Sequence, residues 1–161
     1  MLTGIVKLSL ICIGKTRERF VQDGIAKYLR YVKPYADIGI RELKQEKGAD
    51  LRNAPAIRKR EGERITKALP LGVFTAALDE GGREFTSHEF AAFLNSTMES
   101  GARELVFILG GAFGLDESVT ERANTVIALS RWTLTHEMAR LVLLEQIFRA
   151  FTIIKGKTYH Y

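Results

Sequence analysis

The chain has 161 residues, 46% of them hydrophobic and 27% charged, a size and balance that fit one globular domain. No apolar run approaches the roughly 18 residues of a membrane-spanning helix, and the single cysteine, Cys12, excludes an internal disulfide. With 24 Lys and Arg against 19 Asp and Glu the formal charge is +5, a field that favours polyanionic partners without demanding one.

Residues 5–13 read as a first strand. The opening MLTGIVKLSLICIGKT lacks the basic n-region of a signal peptide, and Lys7 and Ser9 interrupt its apolar run, so a cytoplasmic protein is expected. Cys12, inside that strand, is expected to be a buried small hydrophobe rather than a redox thiol. Residues 18–32 carry Val21, Ile25, Tyr28, Leu29 and Val32 at three- and four-residue spacing, which predicts a helix stopped by Pro34. A second strand follows at 38–43, then a charged stretch, 44–53, expected as a surface loop. Pro55 suits the first turn of a helix running to Leu69, with Ile57, Ile65 and Leu69 able to face a core. Its Arg58, Lys59, Arg60, Arg64 and Lys67 form either an RNA-facing surface or a solvated face laced with Glu61 and Glu63.

Residues 73–78 predict a third strand ending at Asp79, followed by a loop, 80–84, whose glycines allow a sharp turn. Thr86 or Ser87 is placed to cap the next helix, with Glu89 returning the bond; Phe90, Phe93, Leu94 and Met98 supply its buried stripe, and Gly101 ends it. The unbroken apolar run 105–109 reads as a strand in the middle of a parallel sheet, and Gly110-Gly111-Ala112-Phe113-Gly114-Leu115 follows directly. Residues 127–130 make a short last strand and 131–135 an irregular loop. A helix then starts at Thr135 or His136, with Met138, Leu141, Val142, Leu143, Leu144, Ile147, Phe148 and Phe151 almost all around it. A helix apolar on every side needs cover on every side, which predicts a homodimer, with Leu144 a candidate for the partner-facing side. Glu145 and Arg149 are spaced for an i,i+4 pair.

The alternation of short strands and helices from end to end predicts a single α/β domain, a mostly parallel sheet flanked by helices. Ligands in such sheets bind at the carboxyl ends of the strands, so the loops after Leu78, Leu109 and Leu129 are expected to converge on one site. The glycine loop is neither a P-loop, since no Gly-Lys-Ser/Thr follows, nor a G-x-G-x-x-G fingerprint, which disfavours ATP and NAD. It is either a ligand cradle or a turn that needs positive φ.

The segments ILGGAFGL and LSRWTLTHEMARLVLLEQIFRAF, the tail Tyr159-His160, and more loosely Gly14-Lys15 and AALDEGG, together resemble the RlmH family of SPOUT methyltransferases. These enzymes modify N3 of a pseudouridine in large-subunit ribosomal RNA. The resemblance spans essentially the whole chain and implies a C-terminal trefoil knot, an exception to the rule that chains are unthreaded. It implies S-adenosyl-L-methionine as cofactor and no metal. By motif, the cofactor contacts fall on Leu78, Gly110, Gly111, Ser130, Arg131, Trp132, Thr133, Leu134 and Thr135. Leu78, Leu129 and Leu134 are of the right type for an adenine slot, and Gly111→Val is expected to block the pocket.

The reaction moves a methyl group in line onto a nitrogen that must lose its proton, so His136, Arg140 and His160 are the candidate basic and cationic groups, His160 the preferred one. Tyr159 is placed to position or stack on the target base. Tyr161 stands where the family tail has a basic residue. The implied substrate is ribosomal RNA within assembled ribosomes. Two other classes remain open at this level: a non-catalytic RNA- or ribosome-binding protein of the same fold, and a flavodoxin-like nucleotide-binding domain.

Overall fold

The computed structural model describes residues 6–48 and 50–159. Among these, β1 (Val6–Ile13), β2 (Ala36–Leu43), β3 (Phe74–Glu84), β4 (Leu105–Leu109) and β5 (Thr125–Ala128) form one sheet in the order β2-β1-β4-β3-β5. Every neighbouring pair is parallel, as the alternating pattern predicts. The helices are α1 (Arg19–Val32), α2 (Ala54–Ala68), α3 (Ser87–Glu99), α4 (Glu117–Arg122) and α5 (His136–Ile154).

Strand periodicity divides the core in two. Leu105, Phe107 and Leu109 of β4 join Leu8, Leu10 and Cys12 of β1 under α1, α3 and α5. Val106 and Ile108, with Ile11 and Ile13, face the opposite layer, where Ile65 of α2 and Val119 of α4 cover them. β4 is buried along its whole length, as an apolar strand flanked on both edges and both faces must be. Cys12 is buried, and burial pushes its thiol up to about 12, so it packs as a hydrophobe at neutral pH. The capping box forms as the spacing predicts: Glu89 N–H donates to Thr86 Oγ1 at 3.2 Å, and Thr86 N–H to Glu89 Oε2 at 2.7 Å.

Several elements differ from the sequence expectation. Residues 80–84 are not a loop but the continuation of β3, with a register shift between Leu78 and Arg83 against β5. Gly82 makes this possible, because a Cβ there would lie 2.7 Å from the backbone of Val126 and Ile127. β5 runs two residues earlier than predicted, since Leu129 and Ser130 leave the ladder. α4, too short to show a helical period, was invisible as a pattern. In α5 the chain's own α1, α3 and sheet already cover Leu143, Leu144, Ile147, Ala150 and Phe151. Leu144 therefore faces no partner, and the all-round apolar pattern is met largely within one chain.

Candidate active site

The loops after β4 and β5 meet the stretch of β3 at its register shift around a cleft of about 850 Å³. β3 contributes Leu78, Asp79 and Glu80; the loop after β4 contributes residues 110–115; the chain after β5 contributes Leu129, Ser130 and Trp132 through His136. Of the predicted cofactor residues, Leu78, Gly110, Gly111, Ser130, Trp132, Thr133, Leu134 and Thr135 all line it. Arg131 does not: it is exposed on the far side of its loop, with Nε donating to Glu84 Oε1 at 3.0 Å. Trp132 stands at the rim, 83% exposed, its backbone fixed by a 2.9 Å bond from its N–H to Ser130 Oγ.

The glycine loop doubles back on itself. Gly114 N–H donates to Gly111 O at 3.1 Å, Gly114 has φ +78°, and a Cβ on Gly110 would lie 2.6 Å from the Gly114 carbonyl carbon. Glycine at 110 and 114 is thus a condition for the turn itself. A side chain on Gly111 would point away from the cleft, toward Ile13 and the Glu61 carboxylate, at 3.0 and 3.2 Å. The expectation that Gly111→Val fills the pocket is corrected accordingly: its effect would be on the layer beneath. There Glu61 is buried, with Oε1 accepting from Glu46 N–H at 3.0 Å and Oε2 without a hydrogen bond. Burial holds its carboxyl above the ordinary value, against the opposing bond from Glu46 and the charge of Arg64.

His136 is the first residue of α5 and lines the cleft, behind the N-cap Thr135, whose Oγ1 accepts from Met138 N–H at 3.2 Å. Burial depresses its pKa, and the neighbouring charge of Arg140 adds to this, so the neutral imidazole is favoured. Arg140, one turn on, does not reach the cleft. It is fully buried, with Nη2 donating to Ile13 O at 2.6 Å and Nη1 to Thr16 Oγ1 at 2.8 Å. Tyr159 also lies elsewhere, packed edge-on to Phe148 with the Arg149 guanidinium 4.1 Å from its ring centroid. His160 lies outside the described residues.

Sequence reasoning did not assign Arg58, Asp79, Glu80 or Phe113 to the site. Arg58 enters from α2, which packs on the sheet's face beside the glycine loop, and has no ion pair among the described residues; only its place in a basic run marked it. The cleft pairs apolar walls, Leu78, Leu109, Leu129 and Leu134, with carboxylates at one end and exposed loop backbone. That donor set fits an amphipathic ligand with a flat ring and a cationic or hydroxylated part. Among the described residues no group of three or more His, Cys, Asp or Glu is placed to hold a metal ion, and no helix is long and apolar enough to cross a membrane.

A family model described as a predicted SPOUT methyltransferase matches residues 6–160. Proteins named ribosomal RNA large subunit methyltransferase H are similar over almost the whole length. That of Geobacter sp. strain M21 is 45% identical, covering 97% of this chain and 99% of the relative. That of Geobacter sulfurreducens is 46% identical, covering 97% and 100%. Among solved structures, a probable methyltransferase from Bordetella pertussis Tohama I superposes with a TM-score of 0.57 at 15% identity, over 90% of this chain and 96% of that one, a likeness of fold. A site at the strand ends, a glycine turn after the central strand, and near-full-length identity to one kind of relative agree: the chain belongs to the SPOUT methyltransferase family, in its RlmH branch.

Proposed function

We propose that this protein transfers a methyl group from S-adenosyl-L-methionine to N3 of a pseudouridine in large-subunit ribosomal RNA, acting in the cytoplasm on assembled ribosomes. The observation that carries this is the convergence of residues 78–80, 110–115 and 129–136 on one cleft, in a chain about 45% identical to large-subunit RNA methyltransferases. Leu78, Leu129 and Leu134 would hold the adenine, backbone of the glycine and 130–135 loops would orient the rest, and Asp79 and Glu80 would face cationic or hydroxyl groups. When bound, the cofactor supplies an electrophilic methyl group on a sulfonium. The protein's own contribution is alignment, with neutral His136 available at the cleft to accept the proton that N3 loses.

The threading of residues beyond β5 as a trefoil knot belongs to the same reading, supported by β5 pairing back onto β3 before α5 returns to pack on α1 and α3. So does a homodimer. Tyr159 packs on Phe148 of α5, twelve residues beyond His136, which at about 1.5 Å per residue sets the two roughly 18 Å apart along the helix. A role for Tyr159 in catalysis therefore requires the tail of a second copy, and the proposed role of His160 goes with that tail. The test is transfer of labelled methyl from S-adenosyl-L-methionine to ribosomes, to separated subunits and to naked ribosomal RNA. Label at N3 of one large-subunit pseudouridine, with ribosomes the better substrate, is expected. Saturable cofactor binding with no transfer to any of the three would favour the non-catalytic RNA-binding reading instead.

A further inference from the structure

The turn between β1 and α1, residues 14–18, is held far more firmly than a surface connection requires. From below, the buried Arg140 donates to Ile13 O and to Thr16 Oγ1. From β2, Glu42 Oε1 accepts from Thr16 N–H at 2.8 Å and from Thr16 Oγ1 at 3.0 Å. From α5, the Glu137 carboxylate accepts from Arg17 N–H at 3.0 Å and Glu18 N–H at 2.9 Å. Gln22 Nε2 donates to Thr16 O at 2.8 Å. These bonds take up the N–H, carbonyl and hydroxyl of Thr16 and the N–H groups of Arg17 and Glu18, and three side chains remain outside the network: the Glu18 carboxylate, which makes no cap hydrogen bond, and the two cations Lys15 and Arg17. Both cations are exposed, and neither has a side-chain hydrogen bond or ion pair among the described residues. Arg19, the next cation along the chain, pairs instead with Asp23 at 3.3 Å. The turn also sits beside the cleft, because the Glu137 carboxylate that accepts from Arg17 N–H belongs to the residue directly after His136, which lines the cleft.

We infer that Lys15 and Arg17, presented on this clamped turn beside His136, bind the phosphate backbone of the RNA strand that carries the target base. The inference rests on the RNA-methyltransferase reading and names the surface that reading needs. Phosphate contacts fix the register of a nucleic acid without reading its sequence, so cations on a rigid frame near the cleft would set which nucleotide reaches it. Rigidity matters because less order must be imposed when the contact forms.

The experiment compares wild type, the double variant Lys15→Ala with Arg17→Ala, and a control of equal charge, Lys33→Ala with Arg103→Ala, two exposed cations flanking other elements. Ribosome association is measured by co-sedimentation from low to high salt, and cofactor affinity by calorimetry. The Lys15/Arg17 variant is expected to bind ribosomes about tenfold more weakly at ~0.1 M salt and to flatten the slope of log affinity against log salt by about 1.5, with cofactor affinity unchanged. The control should retain wild-type affinity and slope. Undiminished ribosome affinity and slope in the Lys15/Arg17 variant, with wild type active, overturns the assignment alone, as does an equal loss in the control. A wild type that neither binds nor methylates ribosomes overturns it together with the methyltransferase reading.

Discussion

Arg140→Ala removes the one guanidinium that ties α5 to the end of β1, and the structure sets the size of the effect. Two charge-assisted hydrogen bonds disappear, to Ile13 O and Thr16 Oγ1, and such bonds contribute about 1.5–3 kcal/mol each. Removing one member of a buried pair costs about 3–5 kcal/mol when the other is left buried. Arg140 Nη1 also lies 3.5 Å from Glu42 Oε1, but that carboxylate is 34% exposed, so water replaces part of what is lost. Removing a fully buried charge whose Nε has no acceptor also recovers desolvation energy. The low end of the range, about 3 kcal/mol, follows. With a urea dependence of about 2 kcal/mol/M the midpoint should fall by roughly 1.5 M at unchanged slope. Equilibrium urea unfolding reads this directly, and Thr16→Val in a double-mutant cycle should couple to Arg140 by about 1–2 kcal/mol. A loss below about 1 kcal/mol, or no coupling, would refute the view that this arginine anchors the turn.

Gly110→Ala should open the glycine turn, because its Cβ cannot sit 2.6 Å from the Gly114 carbonyl carbon; calorimetry should show S-adenosyl-L-methionine affinity reduced by about tenfold or more, and unchanged affinity would remove that turn from the site. His136, held neutral mainly by burial, binds fewer protons folded than unfolded, so stability should rise with pH up to and through its ordinary value near 6.5. In His136→Asn that rise should shrink, and an identical pH profile would contradict the buried neutral imidazole. Glu61 has the opposite sign: its folded carboxyl keeps a proton above its ordinary value of 4.5, so stability should fall as pH rises from there through the raised value. Glu61→Gln should be at least as stable as wild type at pH 7 by urea unfolding, and a clear loss would mean that the ionised carboxylate holds the layer under the glycine loop.

Helices α1, α2, α3 and α5, the cores of the strands and their parallel arrangement were legible because burial imposes a period. Apolar residues at three- and four-residue spacing marked α1, an unbroken run marked β4, and Thr86 with Glu89 marked the start of α3. Most of the cleft was legible for a similar reason, since a parallel α/β sheet puts ligands at its strand ends: Gly110 and Ser130 stand just past β4 and β5, and Leu78 ends the regular first part of β3 before its register shift. What the sequence could not determine were facts of proximity. The glycines at 81–82 look like a turn until β5 is seen lying within 2.7 Å of where a Cβ would be. Arg140 looks like a site cation one turn from His136, yet its guanidinium points to acceptors 124 and 127 residues away in the chain. Arg58 looked like one cation among five on a helix, and only the crossing of α2 beside the glycine loop brings it to the cleft. Periodicity is local and is written along the chain, whereas the partners that decide a charged side chain's role come from distant segments, which only the packed fold brings within hydrogen-bonding range.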